Sequence, residues 1–431
     1  MTAGLRLRRF IGRPALLRWG PLVRIGAFLA ILGPGFITGI VDDDPTGIAG
    51  YSLAGARFGY GLLWALIIST VGLGLVQEMV ARMGAVTGKG LADLIREEFG
   101  VKTTVFAMAT LLIANGTTTV AEFAGVAGAS EIFGVSRYVS VPIAAVGIFL
   151  IVALWSYRKL ELILLAGTTV FGAYFITGFI AGPSWTSVAK GSFIPSVTPT
   201  IEYLTILIGL IGTTITPWGM FYNQSAVVDK GVSEAGVRSV QKDAWTGAIM
   251  TNVIAFFIIL TTAATLYAKN LPSNDVVQIA QSLRPLAGNF AARLFAIGLF
   301  DSALMAMAVL PLTTVYALCE AFGWERSVNR RISEAPVFFG LFGALLALGA
   351  IAVLVPGVPL LALLFLPNLV DGMLLPIIIV LALILVNNSS IMGKWTNSRL
   401  QNIGSWVTAL VLIVLTAIYL PLVTLTALGV L

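Results

Sequence analysis

The chain has no histidine and a single cysteine, Cys319. Without histidine there is no His-Glu-x-x-His zinc hydrolase, no imidazole ligation of haem and no histidine proton relay. A lone cysteine forms no internal disulfide, so cysteine usage does not reveal the redox compartment; Cys319 reads as a small apolar side chain. Charge is scarce too: Asp, Glu, Lys and Arg make up 11% of the 431 residues, against about 25% in ordinary soluble domains. So little charge cannot coat a water-facing globule of this size. What fills the chain is apolar, with 58% hydrophobic residues and a mean hydropathy of +0.96. The apolar excess recurs along the whole length, and the chain reads as an all-α polytopic membrane protein.

Eleven stretches meet the requirement of about 20 mostly apolar residues for a bilayer crossing. They are centred near 35–54, 62–83, 104–133, 139–155, 161–181, 203–228, 244–268, 290–322, 335–355, 360–386 and 404–431. The connections are short, the longest polar ones being 183–202 and 269–288, so no soluble domain is inserted. If the N-terminus is cytoplasmic, only Arg57, Arg137, Lys190, Lys269, Arg284 and Arg293 fall outside, and the other 20 of the 26 Lys and Arg fall inside. That asymmetry is what the positive-inside rule expects. It places the C-terminus outside and makes the lipid bilayer, not nucleic acid, the partner of the net charge of +6. The basic stretch 1–24 precedes an apolar run that ends in Asp42-Asp43-Asp44-Pro45 and not in a small-residue cleavage site. It therefore reads as a cytoplasmic N-terminus in preference to a signal peptide; an arginine-rich import leader is the weaker alternative.

Two spans have polar, helix-breaking centres. The first reads Gly39-Ile40-Val41-Asp42-Asp43-Asp44-Pro45-Thr46-Gly47-Ile48, and the sixth reads Gly212-Thr213-Thr214-Ile215-Thr216-Pro217-Trp218-Gly219-Met220. Proline removes a backbone donor and clashes with the preceding turn, and glycine permits the open backbone beside it. For either helix alone, an ordinary proline kink is the plain alternative. Interruptions at matching positions of two halves instead point to a transporter site built on inverted repeats. The expected organisation is a first repeat over 25–182, a second over 203–386, and an eleventh helix over 404–431. An odd number of spans per half sets the two 5-helix halves in opposite orientation.

Carboxylates at bilayer depth cost about 2.5–3.5 kcal/mol each on insertion scales. Three in a row call for a compensating cation or shared protons, and hard oxygen ligands select hard divalent cations. Asp44, directly before the proline, is the foremost ligand candidate, and Asp42 and Asp43 are candidates for an approach funnel. The carbonyls of Val41 and Thr213 and the Thr216 hydroxyl would complete an all-oxygen shell.

At these residues the sequence resembles the natural-resistance-associated macrophage protein (NRAMP) metal transporters. The likeness starts with Gly33-Pro34-Gly35-Phe36 and Asp44-Pro45-Thr46-Gly47. It continues through Tyr60-Gly61-Leu62-Leu63-Trp64, Ala81-Arg82-Met83-Gly84, Val86-Thr87-Gly88, Ala121-Glu122 and the stretch from Asn387 to Met392-Gly393, covering nearly the whole chain. The resemblance implies a LeuT-type fold, with five plus five helices in inverted repeat and metal bound between the first and sixth. The family's Asp-Pro-Gly-Asn is here Asp44-Pro45-Thr46-Gly47, so Gly47 stands where a ligand asparagine is expected. Its Met-Pro-His is here Thr216-Pro217-Trp218, so the soft thioether is replaced by a hard hydroxyl. Asn368 aligns with a tenth-helix glutamine that joins the family's site.

Losing the asparagine and methionine widens the site, which suits Mg²⁺, an ion that dehydrates reluctantly. The sequence is thus closer to the NRAMP-related magnesium transporter branch than to the manganese and iron transporters. Trp218 and Asn223 replace the family's imidazoles and Thr119 replaces a third-helix acid, while Glu122 is kept; the expected proton path lacks its stations. The implied function is facilitated Mg²⁺ uptake without proton coupling, in the plasma membrane, with the ion as substrate and no cofactor. A proton-coupled Mn²⁺ or Fe²⁺ transporter of the same family is the alternative. An intramembrane aspartyl protease, suggested by Gly298-Leu299-Phe300-Asp301, is a distant one because no second facing aspartate is evident. Asn368 reads equally as interhelical glue, Asp371 as a cavity residue, Glu122 as a water-path residue or backbone partner, and Trp218 as cavity wall or packing. Asp301 and Glu320 are expected to pair with basic residues.

Overall fold

The computed structural model describes residues 43–154, 168–271, 273–325 and 331–427. Among these residues there are helices and no strand. Nine segments are long and apolar enough to cross a membrane. The expected first and fifth spans lie only partly within the described residues, which accounts for the difference from eleven. The basic stretch 1–24 lies outside them.

Helix α1 is Pro45–Phe58, the second half of the first span. It is buried on nearly every side from Pro45 to Ala56, as expected of a helix that is apolar all round. It ends at Gly59, whose positive φ of 58° lets its N–H close onto the Gly55 carbonyl at 3.0 Å. Helix α2 is Leu63–Thr87 and α3 is Leu91–Ile132. At 42 residues α3 is too long for one crossing of about 30 Å. Gly100, at φ 72°, breaks it into a short piece carrying Arg96, Glu97 and Glu98 and a spanning piece that follows.

Helix α4, Arg137–Leu154, exposes most of its surface, consistent with a lipid-facing position. Helix α5, Gly172–Ile180, is followed by a short α6, Trp185–Phe193, within the longest polar connection. The sixth span is two helices, α7 at Ile201–Thr214 and α8 at Pro217–Asp229. Helix α9 is Val237–Thr265 and α10 is Ala291–Phe322. The other long polar connection, between them, carries the short turns Val276–Ala280 and Arg284–Ala287. Three further helices complete the chain: α11 at Pro336–Leu354, α12 at Leu360–Asn387 and α13 at Arg399–Ala427.

The broken helices are central. Helix α1 packs on α3, α7, α9 and α12, and α8 packs on α2, α3 and α10. Helix α7 lies along α12 at close range because both carry glycine at the crossing. A Cβ on Gly212 would run into the Asn368 carbonyl, and one on Gly372 would approach the Ile208 carbonyl to 2.7 Å. Small residues permit such backbone contact between membrane helices. Their effect here is to set Asn368 of α12 directly against the break in the first span.

Candidate functional site

Both breaks follow one chemical rule. A proline at position i leaves the carbonyl at i−4 without its helical donor. Pro217 does this to Thr213, and Pro45 would do it to Val41. The chain leaves α7 at Ile215 and restarts at Pro217 with Thr216 in an extended conformation. At the other break Asp44 is extended and Pro45 opens α1. Each proline therefore occupies a first-turn position, where its missing N–H is no loss.

Asp44 is 3% exposed. Its Oδ1 accepts the Gly47 N–H at 2.9 Å and the Thr46 hydroxyl at 2.6 Å, so it caps the N-terminus of α1. The second carboxylate oxygen is not used in the cap. Thr46 Oγ1 lies 3.5 Å from Thr213 Oγ1, and Tyr51 Oη lies 3.0 Å from Thr214 Oγ1. These contacts join the two broken spans side by side. From α12, Asn368 donates its amide N–H to the Thr46 carbonyl at 2.8 Å, and its Oδ1 has no hydrogen-bond partner. From α3, Glu122 stands beside Asp44, fully buried, with no donor on either oxygen.

The arrangement gathers Asp44, Thr46, Thr213, Asn368 and Glu122 at one place, as candidates for an oxygen-lined cation site. Gly47 supplies backbone and no side chain, and its N–H is occupied by the cap. Thr216, at the other break, is 4% exposed. Asp43, expected on an approach funnel, is fully buried. Val41 and Asp42 lie outside the described residues. Among the described residues no three His, Cys, Asp or Glu side chains gather tightly enough to hold one ion by themselves. An ion at Asp44 would be completed by hydroxyl, carbonyl, amide and water oxygens.

The remaining candidates surround this place. Trp218 is fully buried in the first turn of α8, its ring centroid 5.9 Å from that of Tyr222, with no acceptor on its indole N–H. Asn223, further along α8, donates to the Gln77 side chain at 2.8 Å and to the Gln77 carbonyl at 3.2 Å, tying α8 to α2. Thr119 bonds back to the Asn115 carbonyl at 2.7 Å within α3, and its methyl faces Gly349 of α11. Asp301, expected to pair with a basic residue, has no ion pair among the described residues and leaves Oδ2 without a partner. Sequence reasoning did not single out Thr46, Thr118 or Gln77, because threonines and glutamines in a long membrane chain carry no local signal of where they meet.

The pattern that defines the Nramp family, described as natural resistance-associated macrophage protein-like, matches residues 35–421. The chain belongs to the Nramp family. Among its Nramp relatives, the divalent metal cation transporter MntH of Bacillus subtilis (strain 168) is 30% identical over 404 residues, which cover 90% of this chain and 91% of that protein. MntH of Erwinia tasmaniensis is 28% identical over 416 residues, covering 89% and 92%. A crystal structure of the Eremococcus coleocola manganese transporter, in complex with an aromatic bis-isothiourea substituted compound, superposes with a TM-score of 0.74 at 21% identity. It covers 90% of this chain and 85% of that one. The same fold extends to MhsT in complex with L-phenylalanine, at a TM-score of 0.59 and 14% identity over 89% of this chain and 97% of that one. The Nramp chain thus has the LeuT-type fold that its family resemblance implied.

Proposed function

We propose that the chain is a divalent metal transporter that carries Mg²⁺ by alternating access around a site between the two broken spans. The relatives named for divalent metal cation transport support the coarser half of this reading. The finer half rests on one observation, the all-oxygen character of the site. Asp44, Thr46, Thr213 and Asn368 offer carboxylate, hydroxyl, carbonyl and amide oxygen with no sulfur or imidazole among them. Hard oxygens and remaining waters match an ion that usually keeps part of its hydration shell. Asp44 is the charged ligand; the Thr216 hydroxyl and the Val41 and Thr213 carbonyls would complete the shell, with Gly47 contributing backbone only. Asp43, buried as it is, is read with Asp42 as part of the ion's approach from the sequence alone.

Uptake is uncoupled from protons and driven by the concentration gradient and the inside-negative potential, since Trp218, Asn223 and Thr119 offer no titratable group. The protein lies in the plasma membrane with its N-terminus cytoplasmic, in two repeats over 25–182 and 203–386 and a further helix over 404–431. A second reading, proton-coupled Mn²⁺ transport, is favoured by one observation: Glu122 is present and stands beside Asp44.

The test is uptake into liposomes of Mg²⁺, Mn²⁺ and Ca²⁺ with a pH dye inside. Expected are Mg²⁺ entry, no accompanying acidification, and loss of entry in Asp44→Ala. Strong rejection of Mg²⁺ with Mn²⁺ entry, or acidification in step with the metal, establishes the second reading instead.

A further inference from the structure

The Asp44 site uses neither Thr118, Asn115 nor Asp371. Asp371 lies in the interior of α12, one turn beyond Asn368, and is 2% exposed. Its Oδ2 is 3.4 Å from the Thr118 hydroxyl of α3, and its Oδ1 has no hydrogen-bond partner. No ion pair holds it among the described residues. An acid kept at bilayer depth without a basic partner marks an ion pathway by default.

Its surroundings extend the point. On α3 the positions Asn115, Thr118 and Glu122 are three and four residues apart, so they share one helix face. Glu122 stands beside Asp44, Thr118 meets Asp371, and the Asn115 amide N–H donates to Thr314 of α10 at 2.7 Å. That leaves Asn115 Oδ1, itself 1% exposed, without a partner. The stripe is therefore edged by buried oxygens that accept and lack donors: both of Glu122, one of Asp371 and one of Asn115. A hydrated cation presents O–H donors on every side and positive charge at its centre, so it is the ligand that satisfies such a lining. An anion is repelled by it, and a hydroxyl-rich solute leaves the carboxylate charge uncompensated.

We propose that Asp371, with Thr118 and Asn115, forms a second station for the hydrated divalent cation, one turn of α3 beyond Glu122. At 1.5 Å per residue, Thr118 lies about 6 Å from Glu122 along the helix. It lies toward the N-terminal end of α3, which carries Arg96 and follows Lys89. The station deepens the transport reading and rests on it for its role, since it would receive the ion from Asp44 on the cytoplasmic side.

The experiment pairs Mg²⁺-dependent thermal stabilisation of the full chain in detergent with Mg²⁺ uptake into liposomes. Asp44→Asn keeps the helix cap, and is expected to leave a weaker, residual Mg²⁺ stabilisation that Asp44→Asn/Asp371→Asn lacks. Asp371→Asn alone is expected to lower uptake about tenfold, the scale seen for residues that act on a metal through its outer shell. Asp371→Glu should restore most of it, and Thr118→Val should lower it less. The station is refuted if the double variant binds Mg²⁺ like Asp44→Asn. It is also refuted if Asp371→Asn takes up Mg²⁺ like wild type, or loses uptake that Asp371→Glu does not recover. A wild type that moves no divalent cation defeats the transport reading, while the binding comparison still decides the station.

Discussion

Asp44 performs two tasks with two oxygens. Oδ1 holds the Gly47 N–H and the Thr46 hydroxyl, and only the other is left to face an ion. The tasks separate by substitution, because asparagine caps a helix about as well as aspartate whereas alanine costs about 1 kcal/mol. Asp44→Asn is expected to unfold at the wild-type temperature yet lose metal uptake; Asp44→Ala should lose both uptake and stability. Thermal unfolding in detergent beside liposome uptake checks the pair, and equal unfolding of the two variants would dismiss the cap. Gly212 offers a second residue-scale test. A methyl there meets the Asn368 carbonyl, so Gly212→Ala is expected to cost about 1–3 kcal/mol by overpacking and to displace Asn368 from the first break. Gly147, with open space around it, is the control position at which alanine should be silent.

Between elements, the tightest polar joint is away from the broken spans. Arg82 on α2 bonds Glu78 at 2.8 Å, the Trp395 carbonyl, and Asn397 at 2.5 Å, with both charged side chains 2–3% exposed. Gln241 of α9 and Gln401 of α13 donate to the two Glu78 oxygens at 2.6 and 3.1 Å. One buried ion pair thus fastens α2, α9, α13 and the loop before α13. Removing one partner of such a pair strands the other charge, at about 3–5 kcal/mol. Arg82→Ala should therefore lower thermal stability strongly, and Glu78→Met/Arg82→Met should recover much of it. A double variant no better than the single would show that the glutamines and the loop, not the stranded charge, set the cost. None of this joint was legible in the sequence beyond the Arg82 motif. Its partners lie up to 323 positions apart, and only helix packing brings them together. The breaks were legible, because Pro45 and Pro217 act on their own i−4 neighbours and need no tertiary contact to do so. The meeting of Thr46 with Thr213 and Asn368 was not, since it depends on the glycine crossing of α7 and α12.

For the molecule as a whole, the spans and their apolar faces follow from composition, while the polar interior follows from assembly. Thr119 is the instructive case: the family resemblance set it at the place of a third-helix acid, and in the fold it bonds back to Asn115 with its methyl toward Gly349 of α11. The same assembly buries Asp44, Glu122 and Asp371 with no basic side chain paired to any of them among the described residues. That feature bears on the transport cycle. A carrier whose lining is negative is nearer electrical balance with a divalent cation bound than when empty, so the return of the unloaded protein across the membrane is its slow half-turn. Isotope exchange between Mg²⁺ pools on both sides is then expected to run several-fold faster than net uptake into metal-free vesicles. Equal rates would mean that the empty lining crosses as readily as the filled one.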